Sequence, residues 1–406
     1  MRHTIAARLI VLTILVLAAA GYAPAQDGQQ TPPPELPPLE DVLEGQQEVP
    51  PYVPLNLNFR IGVVGEYVKE IMTAGGPQEQ IKNPLILIDP RNGEISVYAK
   101  NFPARILADS PNGSWIVGVA ASSSVEGSSG SHRRECAVSL AMDEGAISII
   151  REFPLFCAVQ VYFSPRDANV IYYSVNEPGP VNNIVRYNLK TKDESSLPAE
   201  GNRFRLYGLR PIEPRGLWIA DPMSVAQYPV LSLLSLDDAS QLARVEFPGA
   251  SEVLASPDGD TLLAVVSSSA EASLGYYVHE DHSFHQVPGL VLTRPTAKWV
   301  NRSNAVIVKE STATRDRFLW IDLETGELRE LWSDYAKISF WDISPEDDAL
   351  VFLIDSDADP LLCVIPIDPA QGAPNVIKLK DVSNVSWLGC LNPPRGGGWL
   401  DRLLPF

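Results

Sequence analysis

From Phe59 onward the chain is a succession of short apolar runs broken by turn residues. Arg60–Val64, Leu85–Ile88, Ile95–Ala99, Trp115–Ala120, Val170–Ser174, Leu262–Val266, Ala305–Val308 and Leu350–Ile354 are rich in Val, Ile, Leu and aromatics. Such side chains fit a pleated surface, and runs of about five residues are strand-sized. No segment keeps a 3.6-residue apolar stripe over three turns. The pattern predicts an almost entirely β domain, and 35 Pro with 27 Gly supply its turns.

The runs repeat. Ser110-Pro111-Asn112-Gly113 precedes Trp115–Ala120, and Ser164-Pro165-Arg166-Asp167 precedes Val170–Ser174. Ser256-Pro257-Asp258-Gly259 precedes Leu262–Val266, and Ser344-Pro345-Glu346-Asp347 precedes Leu350–Ile354. Eroded copies are Pro211-Ile212-Glu213-Pro214, Trp299-Val300-Asn301-Arg302 and Ser386-Trp387-Leu388-Gly389. The anchors fall at 110, 164, 212, 256, 301, 344 and 388. Midway between them lie turns such as Asp89-Pro90-Arg91-Asn92-Gly93 and Asp322-Leu323-Glu324-Thr325-Gly326, with weaker forms at Ala141–Gly145 and Asn188–Lys192. Four antiparallel strands in about 44 residues is the size of one propeller blade.

The Ser-Pro-Asp-Gly turn at 256–259, with its flanking strands, resembles the TolB-like β-propeller repeat, in which that turn joins the innermost strand to the second. The resemblance covers roughly residues 58–390 and is clear in four of the seven copies. The expected fold is all-β, a seven-bladed β-propeller of four-stranded antiparallel blades, with a six-bladed ring as the alternative. Arg60–Val64, Leu85–Ile88 and Ile95–Ala99 look like the second to fourth strands of a blade without a first. Val382–Leu388 looks like a first strand without the others. Joined, they would close the ring.

The termini read differently. Arg2 and Arg8, the apolar run Leu9–Ala20 and Ala23-Pro24-Ala25 follow the order of a secretory signal. The run is shorter than the roughly 20 residues of a membrane span. The expected organisation is a signal peptide over 1–25, a Pro-rich linker over 26–54, the propeller over 55–392 and a tail over 393–406. Export to the periplasm or the extracellular space follows, with no membrane insertion once the signal is removed.

Composition narrows the partners. Lys plus Arg number 32 against 50 Asp plus Glu, a formal charge of −18. So acidic a chain repels a phosphate backbone, which excludes nucleic acid as an expected partner.

Candidate chemistry is sparse. His279, His282 and His285, with Glu280 and Asp281, have the residue types of a transition-metal site, yet on a third-to-fourth strand hairpin they read as a polar turn. Asp355, Asp357 and Asp359 begin like a calcium loop, but Pro360 stands where Gly is needed. No Gly-x-Ser-x-Gly elbow and no Gly-x-x-x-x-Gly-Lys loop occurs, and Ser122–Ser124 with Ser128–Ser131 read as a flexible loop. Trp115, Trp218, Trp299, Trp341 and Trp387 form a potential sugar-stacking set, but their similar registers favour packing between blades. No catalytic, cofactor or metal residue is assigned. Cys136 opens a third strand and Cys157 opens the next blade's first, so both fall on one face of the ring and are expected to form a disulfide. Resemblance to the family implies a non-catalytic binding or scaffolding protein for a protein or peptide of the cell envelope. The alternatives are an enzyme acting on a carbohydrate or small molecule at the channel mouth, and a structural module without a ligand. The inner strands Val159–Phe163 and Ser251–Ala255, mainly apolar and small, favour binding.

Overall fold

The computed structural model describes residues 49–392 apart from 50, 74–75, 82–83, 100–101, 103–104, 165, 177–183, 197–210, 213–215, 221–227, 236–239, 258, 268–270, 301–302, 355–358 and 369–370. The expected signal, most of the linker, the tail, Asp355 and Asp357 therefore lie outside the described residues. Six antiparallel sheets have four strands each, and one has five. Sheet 1 comprises Arg105–Asp109, Trp115–Ala121, Arg134–Ala141 and Ile147–Pro154, and sheet 2 Ala158–Phe163, Val170–Asn176, Val185–Asn188 and Glu194–Ser196. Sheet 3 comprises Pro211–Ile212, Gly216–Ala220, Val230–Leu234 and Gln241–Glu246. Sheet 4 comprises Ala250–Ala255, Thr261–Ser267, Ala272–Val278 and Ser283–Gln286. Thr296–Trp299, Ala305–Ser311, Asp316–Asp322 and Leu328–Asp334 make sheet 5; Ile338–Ile343, Ala349–Ile354, Leu361–Pro366 and Asn375–Lys378 make sheet 6.

The repeated serine has a physical task. In each clear copy it is buried, and its N–H donates to the carbonyl that opens the second strand: Trp115, Val170, Thr261 or Ala349. Its hydroxyl turns inward and accepts from turn or strand amides, at 2.9 Å from Trp115 N, 3.0 Å from Thr261 N and 2.9 Å from Ala349 N. In sheet 2 the same hydroxyl accepts from Arg166 and Asp167 N at 3.2 Å. The eroded copy at Val300 keeps the backbone bond to Ala305 O without a hydroxyl. The midway turns share one geometry as well. Gly93, Gly145, Lys192 and Gly326 all have positive φ and donate to the carbonyl four residues back. Glycine meets that requirement without steric cost, and Lys192 meets it under strain.

The sheets stack face to face as blades of an all-β propeller. Val119 and Ala137 of sheet 1 pack with Val161 and Tyr173 of sheet 2. Trp218 and Leu231 of sheet 3 pack with Val253 and Leu262 of sheet 4, whose Leu263 and Leu274 meet Val306 and Leu319 of sheet 5. Ile307 and Phe318 then meet Leu350 and Cys363 of sheet 6.

The five-stranded sheet joins the two ends of the chain. Val382–Leu391 pairs antiparallel with Arg60–Thr73, which pairs with Leu85–Asp89, which pairs with Glu94–Ala99. Arg60 faces Leu391 and Val64 faces Trp387. One face of this closing sheet packs Ile61 and Leu388 against Val351 and Leu362 of sheet 6; the other packs Leu85 and Leu87 against Ile116 and Leu140 of sheet 1. The fifth strand, Gly76–Ile81, pairs with the far end of the long Arg60–Thr73 strand, a hairpin absent from the sequence reading. The Trp387 ring folds over two glycines: a Cβ at Gly389 would lie 2.2 Å from it, and one at Gly62 2.8 Å. Gly389→Ala is expected to destabilise the fold by about 1–3 kcal/mol, as overpacking does, read as a lower denaturation midpoint with unchanged slope.

The chain ahead of Arg60 packs on the ring. Leu55, Leu57 and Phe59 are buried in the cluster between the closing sheet and sheet 6. Val53 N donates to Asn375 Oδ1 at 2.8 Å while Asn375 Nδ2 donates back to Val53 O at 2.8 Å. The Tyr52 ring lies against Gly93, its hydroxyl donates to Pro90 O, and Val49 packs on the cluster between sheets 5 and 6. Residues 49 and 51–59 thus form a strap across the outer edge of sheet 6, made of Val49 and residues 51–54 from the expected linker and 55–59 from the expected propeller.

Candidate functional site

The first strands of neighbouring sheets approach one another around the middle of the ring: sheet 6, the closing strand Val382–Leu391, sheet 1 and sheet 2 in succession, and likewise sheets 4 and 5. Their residues alternate. Val159, Val161, Val253, Ala255, Ala297 and Trp299 are buried between blades, whereas Gln160, Tyr162, Glu252, Leu254, Lys298, Phe340 and Asp342 are half-buried at the inner edge. That alternation follows from the period of two in a strand, with one parity committed to the core.

Charge is organised there. Lys298 Nζ donates to Asp342 Oδ1 at 2.7 Å and to Trp341 O at 2.9 Å, and stands 5.0 Å from the Trp341 ring centroid. The other Asp342 oxygen accepts from Cys390 N at 2.8 Å. Three successive inner strands are thereby joined through side chains. Burial, and then the Asp342 carboxylate, push the Cys390 thiol far above its ordinary range. That thiol is a packed core group and no nucleophile at neutral pH. Glu252, on the first strand of sheet 4, is also raised, by burial alone. The sequence reading, which judged these strands apolar and small, missed Glu252, Lys298 and Asp342. The signal existed: Lys298 stands three residues before the anchor at 301 and Asp342 two before the anchor at 344, about one repeat apart.

The sequence candidates do not converge. Among the described residues no group of three His, Cys, Asp or Glu is gathered to hold a metal. His279 and His282 lie edge to face with ring centroids 5.5 Å apart, and His279 also meets the Trp218 ring. His282 Nδ1 bonds the Tyr277 hydroxyl at 2.9 Å, while His285 stacks on Tyr276 and bonds Ser283 Oγ at 2.8 Å. His282 and His285 are held within their own hairpin, and His279 also packs on sheet 3. Asp359 pairs with Lys378 at 3.5 Å.

The Ser-rich loop is ordered by one carboxylate. Glu152 Oε1 accepts from Ser122 Oγ at 3.0 Å and from Ser129 N at 2.6 Å, and these bonds hold its carboxyl below the usual range. Cys136 and Cys157 are both buried, and the structure packs them in different clusters. They share a face of the ring but lie on opposite faces of sheet 1. Cys136 packs with Ala120 and Val138, whereas Cys157 packs on the side of Ala137, toward sheet 2. Three tryptophans tie blade to blade, as packing predicts. Trp115 Nε1 donates to Asn169 Oδ1, Trp218 Nε1 to Gly259 O and Trp299 Nε1 to Leu254 O, each at 3.1 Å.

No family model and no curated protein matches this chain. Solved structures do. A protein from Lactobacillus plantarum is 12% identical over 82% of this chain and 100% of its own, with a TM-score of 0.50. Oligogalacturonate lyase in complex with manganese is 13% identical over 78% of this chain and 84% of its own, with a TM-score of 0.50. TolB from Acinetobacter baumannii aligns over 87% of this chain and 70% of its own at 11% identity, with a TM-score of 0.47. At such identities the likeness is one of fold.

Proposed function

We propose that the protein is an exported propeller that binds a protein or peptide partner of the cell envelope at the inner edges of its blades, without catalysing a reaction on it. We read the ring as seven-bladed, taking the closing sheet as the seventh blade, with a six-bladed ring as the alternative. The observation that carries the reading is the half-buried row Gln160, Tyr162, Leu254, Phe340 with the Lys298–Asp342 pair. It mixes apolar contact area with internally paired charge on strands that are each paired to the second strand of their blade, and a preorganised surface loses little entropy on binding. Export is supported by the residue order of 1–25, and no helix among the described residues is long and apolar enough to cross a membrane.

The test is capture from the organism's own envelope extract on wild-type residues 26–406, on Leu254→Arg and Gln160→Arg at the inner strands, and on Phe284→Arg at the outermost strand of sheet 4. The expected result is a partner retained by wild type and by Phe284→Arg but lost by both inner-strand variants, all four melting within a few degrees of one another. Retention by the inner-strand variants would move the site elsewhere. Turnover of an extract carbohydrate, abolished by the same variants, would make the protein an enzyme.

A further inference from the structure

The first strand of sheet 4 carries a carboxylate for which the described residues supply no counter-charge. Glu252 is half-buried, its carboxyl is raised by burial, and no donor or cation among the described residues pairs with it. Lys298, on the first strand of the neighbouring sheet 5, is paired with Asp342 of sheet 6. A desolvated carboxylate without a partner opposes folding, and groups perturbed in this way gather at functional sites.

A comparison inside the molecule shows that the scaffold does not require Glu there. The first strand of sheet 4 has a bulge between Ala250 and Glu252, and that of sheet 6 has one between Ile338 and Phe340. At both bulges a serine hydroxyl donates to the second strand at 3.2 Å, Ser251 to Val265 O and Ser339 to Leu353 O. Glu252 and Phe340 therefore occupy equivalent places on one backbone device. Sheet 6 fills its place with an apolar ring packed against the neighbouring core. Sheet 4 fills the same place with an unpaired acid, and bulges commonly re-aim a side chain beside a site.

We infer that Glu252 is the receptor for a lysine or arginine side chain on an extended polypeptide entering the middle of the ring. This rests on the binding reading above and adds the chemistry of its ligand. A single carboxylate flanked by Leu254 cannot enclose a bare metal ion, which demands several oxygen or nitrogen ligands. It suits one cationic head whose stem lies on apolar surface. The chain's formal charge of −18 steers cationic segments toward it.

The test uses the full mature chain and three fluorescein-labelled decapeptides with a common Gly-Ser-Leu frame bearing lysines, arginines or glutamates. Anisotropy is read for wild type, Glu252→Gln and Glu327→Gln, the last removing an exposed charge from an outer turn. The expected result is binding of both basic peptides and not the acidic one, a tenfold or greater loss in Glu252→Gln, and less than a twofold change in Glu327→Gln. Glu252→Gln is expected to melt no lower than wild type at pH 7. A carboxyl raised in the folded state loses stability as pH rises through its range, and the amide removes that loss. Equal affinity of wild type and Glu252→Gln would overturn the inference in favour of diffuse attraction. Failure of both basic peptides, or Glu252-dependent binding of manganese or calcium alone, would overturn it as well. If the captured partner is lost by Leu254→Arg yet retained by Glu252→Gln, the binding reading stands and this inference falls.

Discussion

Deletion of residues 382–406 is expected to yield aggregated or protease-sensitive protein, whereas deletion of 393–406 alone is expected to have a mild effect on the denaturation midpoint. The strand Val382–Leu391 contributes on three sides. Its backbone pairs with Arg60–Tyr67 from Leu391 to Val382, one face adds Leu388 and Cys390 to the core shared with sheet 6, and Leu391 enters the core shared with sheet 1. Fully burying a side chain such as Leu contributes about 1.5–3 kcal/mol and each ladder hydrogen bond a net ~0.5–1.5 kcal/mol. Several of each rival the roughly 5–15 kcal/mol that separates a folded domain from its unfolded chain. The deletion would also expose the edge of Arg60–Thr73, and unpaired edges template aggregation. Cooperative melting of the longer deletion at the full-length temperature would refute closure.

The strap makes the second large prediction. Phe59→Ala is expected to destabilise by about 3–5 kcal/mol, the range for truncating a buried aromatic, because Phe59 is 0% exposed. Asn375→Ala is expected to cost about 1–3 kcal/mol, since Val53 N loses its acceptor and Val53 O its donor. Limited proteolysis should then stop at or before Val49, with the strap protected, as mass spectrometry of the trimmed core reads directly. A stable core beginning at Pro54, or an unchanged midpoint for Phe59→Ala, would show that the strap carries no load.

These two elements were not equally legible in the sequence. The closing strand was visible because each end of the chain showed a blade with a part missing, and four clear turn serines set the frame. The strap residues before Leu55 were hidden by their prolines, which read as spacer, whereas Leu55, Leu57, Phe59, Ile61 and Val63 alternate as a half-buried extended segment should. The Cys136–Cys157 expectation does not take strand parity into account. Repeat position places both on one face of the ring, but only counting along Arg134–Ala141 shows that Cys136 and Ala137 point to opposite neighbours. The Lys298–Asp342 pair spans 44 residues and becomes a pair only when adjacent blades bring their inner strands together. Glu252 was beyond reach for a related reason: its lack of a partner is a property of the assembled ring, not of any local pattern.

The central claim, that a partner is held at the inner edges of the blades, is tested most directly by photo-crosslinking. A photoreactive amino acid is placed at Leu254 or Gln160, and in a parallel protein at the exposed outer-strand residue Phe284. Irradiation in envelope extract is expected to give a discrete covalent adduct of the same partner from positions 254 and 160 and none from 284. Adducts arising from position 284 alone would contradict the account.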